Sequence, residues 1–281
     1  METKTLAAIT GIALILLASG CTLPEEIQDT ENKDNKPELA SDRGLKIEEF
    51  RMTDESLRPN QEVIMRLKLT NYHTEDIDIK EVSIYNEGLL KVDKSSKECN
   101  PSIGKLGKAS PGNYPSMVCT WRVTAPDKEK YGGFENKPAS VNLRLKYESS
   151  LTNEKPFKVR FKPLDEINNT ESIGKSFSNA EVSMSVSTED PVPKQGSRVL
   201  EVSVKEVGRG RLVEGSEYRF DFRPSHLFQG CNQPGAPVVG NEYSFACTLQ
   251  GGIEGTRNLG FSTSYKYVKE PVLNVRLVNQ Q

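Results

Sequence analysis

The chain has 281 residues, 27% of them charged, and a formal net charge of −2. That balance excludes a nucleic-acid binder held by bulk positive charge, and it excludes an acidic disordered chain. The length suits two ordinary domains.

Residues 6–18 form an apolar run, the length of a signal-peptide core and short of the ~20 residues that a membrane span needs. Lys4 and the amino terminus precede it, and Ala18-Ser19-Gly20-Cys21 ends it. Small residues directly before a cysteine resemble the lipobox of prokaryotic lipoproteins, although Ala18 stands where that motif prefers Leu and Leu17 sits one place earlier. The resemblance implies a signal peptide over 1–20, lipidation of Cys21 and an extracytoplasmic body held to the cell membrane by N-terminal lipid. The alternative is an uncleaved single N-terminal transmembrane anchor. Cysteine arithmetic agrees with the lipid. The chain has 5 cysteines, an odd number, and removing Cys21 leaves Cys99, Cys119, Cys231 and Cys247 for an oxidising exterior.

Residues 21–43 follow as the lipidated cysteine and an acidic tether. They lack apolar periodicity and carry more Asp and Glu than Lys and Arg, so they cannot bury enough surface to fold. Beyond them the pattern has period two. Met65, Leu67 and Leu69 alternate with Arg66 and Lys68, and Val141, Leu143, Leu145 and Tyr147 alternate with Asn142, Arg144 and Lys146. Phe157, Val159 and Phe161 do the same against Lys158 and Arg160. Half-buried strands alternate in this way, and turn residues such as Asn60, Gly88, Gly112 and Gly215 punctuate them. The predicted class is all-β, with antiparallel sheets packed as sandwiches.

A repeat divides these strands. Cys99-Asn100-Pro101 is followed by Cys119-Thr120 and then Lys146-Tyr147. Cys231-Asn232 is followed by Cys247-Thr248 and then Lys266-Tyr267. The landmarks set two β-sandwich domains, 44–163 and 179–281, with the polar stretch 164–178 as linker. Four cysteines allow three pairings, and the repeat selects Cys99 with Cys119 and Cys231 with Cys247, one staple per domain. The stretch "FRMTDESLRPNQEVIMRLKLTN" resembles the opening of the immunoglobulin-like, CARDB-like modules of prokaryotic surface proteins, archaeal ones especially. That resemblance implies tandem immunoglobulin-like domains that bind or scaffold, and it names no ligand.

Chemistry is sparse. The 2 histidines, His73 and His226, lie one per domain and have no zinc-ligand spacing. No nucleophile elbow is present, and "GRGRLVEG" lacks the Gly-Lys-Ser/Thr of a phosphate loop. Glu75, Asp76 and Asp78 crowd a turn without the spacing of a calcium loop. No catalytic residue, metal or cofactor is therefore expected. The candidate partner contacts are His226, Leu227 and Phe228, an apolar knuckle on a Pro- and Gly-rich loop, with capping of the domain's own core as the other reading. Asn168-Asn169-Thr170 makes Asn168 a candidate glycosylation site. The expected function is a non-catalytic envelope lipoprotein that binds, adheres or scaffolds. Its partner is a membrane through lipid, plus an unidentified envelope protein or glycan. A transporter's solute-binding lipoprotein and an exported hydrolase are the alternatives.

Cys21→Ser tests the anchor. The substituted protein is expected to remain an unprocessed precursor or to appear in the medium. Unchanged gel mobility and membrane association would remove the lipoprotein reading.

Overall fold

The structure, a computed structural model, describes residues 44–131, 135–231, 236–237 and 241–279. The expected signal peptide, Cys21 and the tether lie outside them. The described residues are all-β, and their only helical pieces are 3-10 turns at Lys128–Tyr131, Leu164–Glu166 and Ser225–Leu227. No helix among them is long and apolar enough to cross a membrane.

The strands of the first half are β1 Leu45–Met52, β2 Ser56–Leu57, β3 Glu62–Asn71, β4 Ile77–Asn86, β5 Lys91–Asn100, β6 Lys105–Leu106, β7 Ser116–Thr124, β8 Asn136–Thr152 and β9 Phe157–Lys162. Then come β10 Glu171–Ser178, β11 Val182–Asp190, β12 Val192–Pro193, β13 Ser197–Glu206, β14 Arg211–Leu212, β15 Glu217–Arg223 and β16 Phe228–Gln229. The last are β17 Ala236–Pro237, β18 Glu242–Gln250, β19 Gly255–Lys269 and β20 Val272–Val278. Alternation decides which face of each is buried. Along β8, Ala139, Val141, Leu143, Leu145, Tyr147, Ser149 and Leu151 turn inward, while the intervening residues meet solvent.

Two small antiparallel sheets, β1-β3-β7-β5 and β10-β11-β13-β18-β16, pack against one large sheet. In that sheet β8 and β9 run antiparallel to β19 and β20 as one ribbon. Asn136 faces Val278 at one end, Thr152 faces Ser262, and after the bend at 153–156 the ladder resumes with Phe157 opposite Leu259. The consequence is an exchange of strands. β9 leaves the first half to pair with β19 of the second, and β20 returns to pair with β8 of the first. Each exchanged strand is then flanked by a parallel pair of residues from its host half, β12 on β9 and β2 on β20. At the centre Tyr147 pairs with Tyr267, so the Lys-Tyr landmarks of the repeat meet directly, with ring centroids 5.8 Å apart.

The halves thus share a sheet and one continuous core rather than standing as separate bodies, and the described residues form a single compact unit. The stretch 164–178 is also corrected. Only its first part is a connection, because Glu171–Ser178 is β10, paired along its whole length with β11. As an edge strand of Ser, Gly and Lys it buries little, so no alternation of apolar residues betrays it. The disulfides are Cys99–Cys119, joining β5 to β7, and Cys231–Cys247, tying the loop after β16 to β18. Trp121 is buried on the same face of β7 as Cys119.

The exchange predicts the behaviour of a nicked chain. A protease site inserted at 163–170 and cleaved should leave two pieces that co-elute in native buffer and separate only in denaturant. Separation without denaturant would contradict the shared ladder.

Candidate functional site

The chemistry-bearing side chains gather where the two halves meet. The hairpin between β10 and β11 is closed by Asn179, whose Oδ1 accepts the Glu181 and Val182 amides at 3.0 and 2.9 Å. This tight turn aims Glu181 into the molecule, where it is fully buried. Gly44 packs on Ala180 so closely that a Cβ would lie 2.7 Å from the alanine's own. The seam thereby excludes water from the carboxylate.

Glu181 Oε1 accepts the Tyr147 hydroxyl at 2.6 Å and the Leu45 amide at 3.3 Å, and it lies 3.4 Å from His73 Nε2. Oε2 accepts the Tyr265 hydroxyl at 2.8 Å, and Asn179 Nδ2 donates to the same tyrosine oxygen at 2.7 Å. Leu45, His73 and Tyr147 belong to the first half; Asn179, Glu181 and Tyr265 belong to the second. The Lys269 ammonium, on β19, donates to the Leu45 carbonyl and adds positive charge nearby. Tyr267 is held differently from its counterpart, accepting the Gly210 amide at 3.0 Å. A Cβ on Gly210 would lie 2.4 Å from the Val268 carbonyl oxygen, so that approach requires glycine.

Burial raises the affinity of Glu181 for a proton. His73, Lys269 and the Tyr147 hydroxyl overcome that effect, and its pKa falls from 4.5 to about 2. The buried hydroxyls of Tyr147 and Tyr265 move the other way, pushed well above 10 by burial and by the Glu181 charge.

Ser149 Oγ lies 3.3 Å from His73 Nε2, which brings a serine, a histidine and a carboxylate together. They do not form a relay. One ring nitrogen faces both the hydroxyl and the carboxylate, whereas a relay uses opposite nitrogens. Ser149 is 5% exposed and His73 3%, so a substrate cannot reach them. The arrangement is suited to fastening two halves together. In the sequence His73 stands out only as a histidine without zinc-ligand spacing, and Glu181, Asn179, Ser149 and Tyr265 do not stand out at all. The available signal was Asn179-Ala180-Glu181 directly before an alternating strand, a turn that carries a carboxylate to the edge of an apolar face.

The expected knuckle is corrected. Leu227 and Phe228 are buried, and the Phe228 ring packs 5.3 Å from Phe222 and 5.9 Å from Phe261. Of the three residues only His226 meets solvent, because the cost of exposing a phenylalanine favours turning it onto the core. Asn168 is exposed in the connection before β10. The acidic turn is neutralised: Asp76 pairs with Lys105 at 2.6 Å, and Asp78 pairs with Lys80 at 2.5 Å. No cluster of three or more metal-ligating side chains occurs among the described residues.

Glu181 gives the fold an acid limb. Its folded pKa lies below its unfolded one, so its contribution is present above pH 4.5 and is lost as pH falls toward about 2. Glu181→Gln is expected to lower stability at pH 7 by about 3 kcal/mol and to flatten the loss between those pH values. Denaturant titrations across pH measure both, and an unchanged acid limb would show that Glu181 does not control it.

No family model matches the chain, and no curated protein does. Among solved structures it is similar to the secreted serine protease VesC from Vibrio cholerae, at 10% identity and a TM-score of 0.22. The similarity covers 83% of this chain and 51% of that one, so the chain spans about half the protease's length. At that score it carries no argument about fold or activity.

Proposed function

We propose that the protein is an envelope lipoprotein, anchored through Cys21, whose body is a pair of immunoglobulin-like modules with a binding, adhesion or scaffolding role and no catalytic one. The observation that carries this reading is the burial of His73, Ser149 and Glu181 in the seam, where they serve cohesion and stay closed to solvent. Two surface hollows agree with it. One of 530 Å³ is lined by Asp54, Arg58, Asn60 and Gln61, and another of 400 Å³ by Ser187, Thr188, Glu189 and Arg198. Both are polar and open, unlike the enclosed apolar clefts that hold small solutes.

Strand order supports the modular part. The first half sets β1-β3-β7-β5 against β4-β8-β20, and the second sets β11-β13-β18-β16 against β15-β19-β9. Both orders resemble the four-plus-three sheets of the immunoglobulin constant type, with β10 added to the second and the last strand of each exchanged. The two disulfides favour an oxidising, extracytoplasmic compartment.

Binding of the labelled mature chain to envelopes from cells lacking the protein tests this reading. Saturable retention, lost when the chain is reduced and unfolded, is the expected result. Retention that does not saturate, or that survives unfolding, would count against a folded binding module.

A further inference from the structure

The seam does not account for β10. This strand forms one end of its sheet, with no strand on its outer side among the described residues. Most sheet edges in the molecule are blunted. β1 bulges between Ile47 and Glu49, β5 loses register between Asp93 and Glu98, and β2, β12 and β16 are two residues long. β10 has no bulge and is eight residues long, and its one guard is Lys175, on the face of Ile173 and Phe177. It keeps register from Glu171 opposite Asp190 to Ser178 opposite Ser183, and it contains no proline. It is also an addition, because the corresponding sheet of the first half ends at β1. Its core-facing Ile173 and Phe177 remain only partly buried, so the sheet stops before its apolar face is covered.

We propose that β10 is a dimerisation edge: two copies of the chain pair antiparallel through β10 about a two-fold axis at Ile173. Directly opposed residues of an antiparallel pair share a sheet face, so the axis must pass through a residue. An axis at Ile173 sets the two isoleucines against each other and places Glu171 of each copy opposite Lys175 of the other. An axis at Gly174 would oppose Ile173 to Lys175 and Glu171 to Phe177. An axis at Lys175 would set Ile173 opposite Phe177 but would oppose the two lysines. Charge therefore selects the first register. Within one chain these side chains lie along the free edge, Glu171 beside Arg160 at 2.8 Å and Lys175 against the Lys155 carbonyl at 2.7 Å. Both are surface contacts that a cross-strand partner can join. Pairing would run the β10 sheets of the two copies into one through residues 171–175 and complete the cover of Ile173.

Sedimentation equilibrium of the detergent-solubilised full chain tests the proposal. The unaltered protein is expected to be dimeric at about 50 µM, within the range of modest protein–protein affinity. Lys175→Glu opposes like charges twice and should weaken the dimer about tenfold. The exchange Glu171→Lys with Lys175→Glu should restore it, and Ile173→Cys should cross-link two chains on mild oxidation where Phe177→Cys does not. Melting curves separate loss of pairing from loss of fold. A monomeric unaltered chain, or a dimer that ignores both charge changes, would overturn the assignment, including the outcome that some other extended segment occupies the edge.

Discussion

The antiparallel ribbon of β8 and β9 against β19 and β20 is the constraint on which the rest of the molecule depends. A sheet that lacks its last strand leaves an open edge. Here neither half keeps its own last strand. The bends at 153–156 and 270–271 carry each terminal strand onward instead of folding it back, and each half receives its closing strand from the other. Neither second sheet is complete without its neighbour, so the two halves stand as one cooperative body.

The exchange creates a problem that the seam solves. Bringing the two halves together buries backbone groups at Leu45 and at the β10–β11 turn, and buried donors left unpaired are costly. Glu181 accepts from Leu45, Tyr147 and Tyr265, while Asn179 satisfies the turn behind it. A single carboxylate therefore collects donors from both halves. The pseudo-symmetry breaks here: the position occupied by Glu181 before β11 corresponds to Gly44 before β1, and a second carboxylate at the same seam would repel the first. The Ser-His-carboxylate grouping follows from this packing and has neither the geometry nor the access of a catalytic triad.

The outer face of the large sheet is organised by exposed ion pairs. Glu81 pairs with Lys146, Glu148 lies near both Lys80 and Lys266, and Glu270 lies near both Arg144 and Arg211. Exposed pairs of this kind contribute less than about 1 kcal/mol each, so they tune solubility and strand choice more than stability. Stability comes from the inward face, where the alternating residues of both halves merge into one core.

Local pattern made much of the architecture legible. Period-two alternation marks β3, β8 and β9 because one face of each meets the core and the other meets water, and that asymmetry is written residue by residue. The cysteine landmarks marked the repeat because each pair lies within a short stretch of chain. β10 escaped because an edge strand needs no apolar alternation, and the knuckle at Leu227 and Phe228 was ambiguous because the same residues can face a partner or a core. The sequence by itself determined the all-β class and the strands that carry the core, since these follow from short-range spacing. Only the tertiary structure decided that β9 and β20 change places and that Glu181, His73, Ser149 and Tyr265 converge. Those residues are separated by up to 192 positions of sequence, the span from His73 to Tyr265, and no local periodicity encodes which edge a terminal strand will choose.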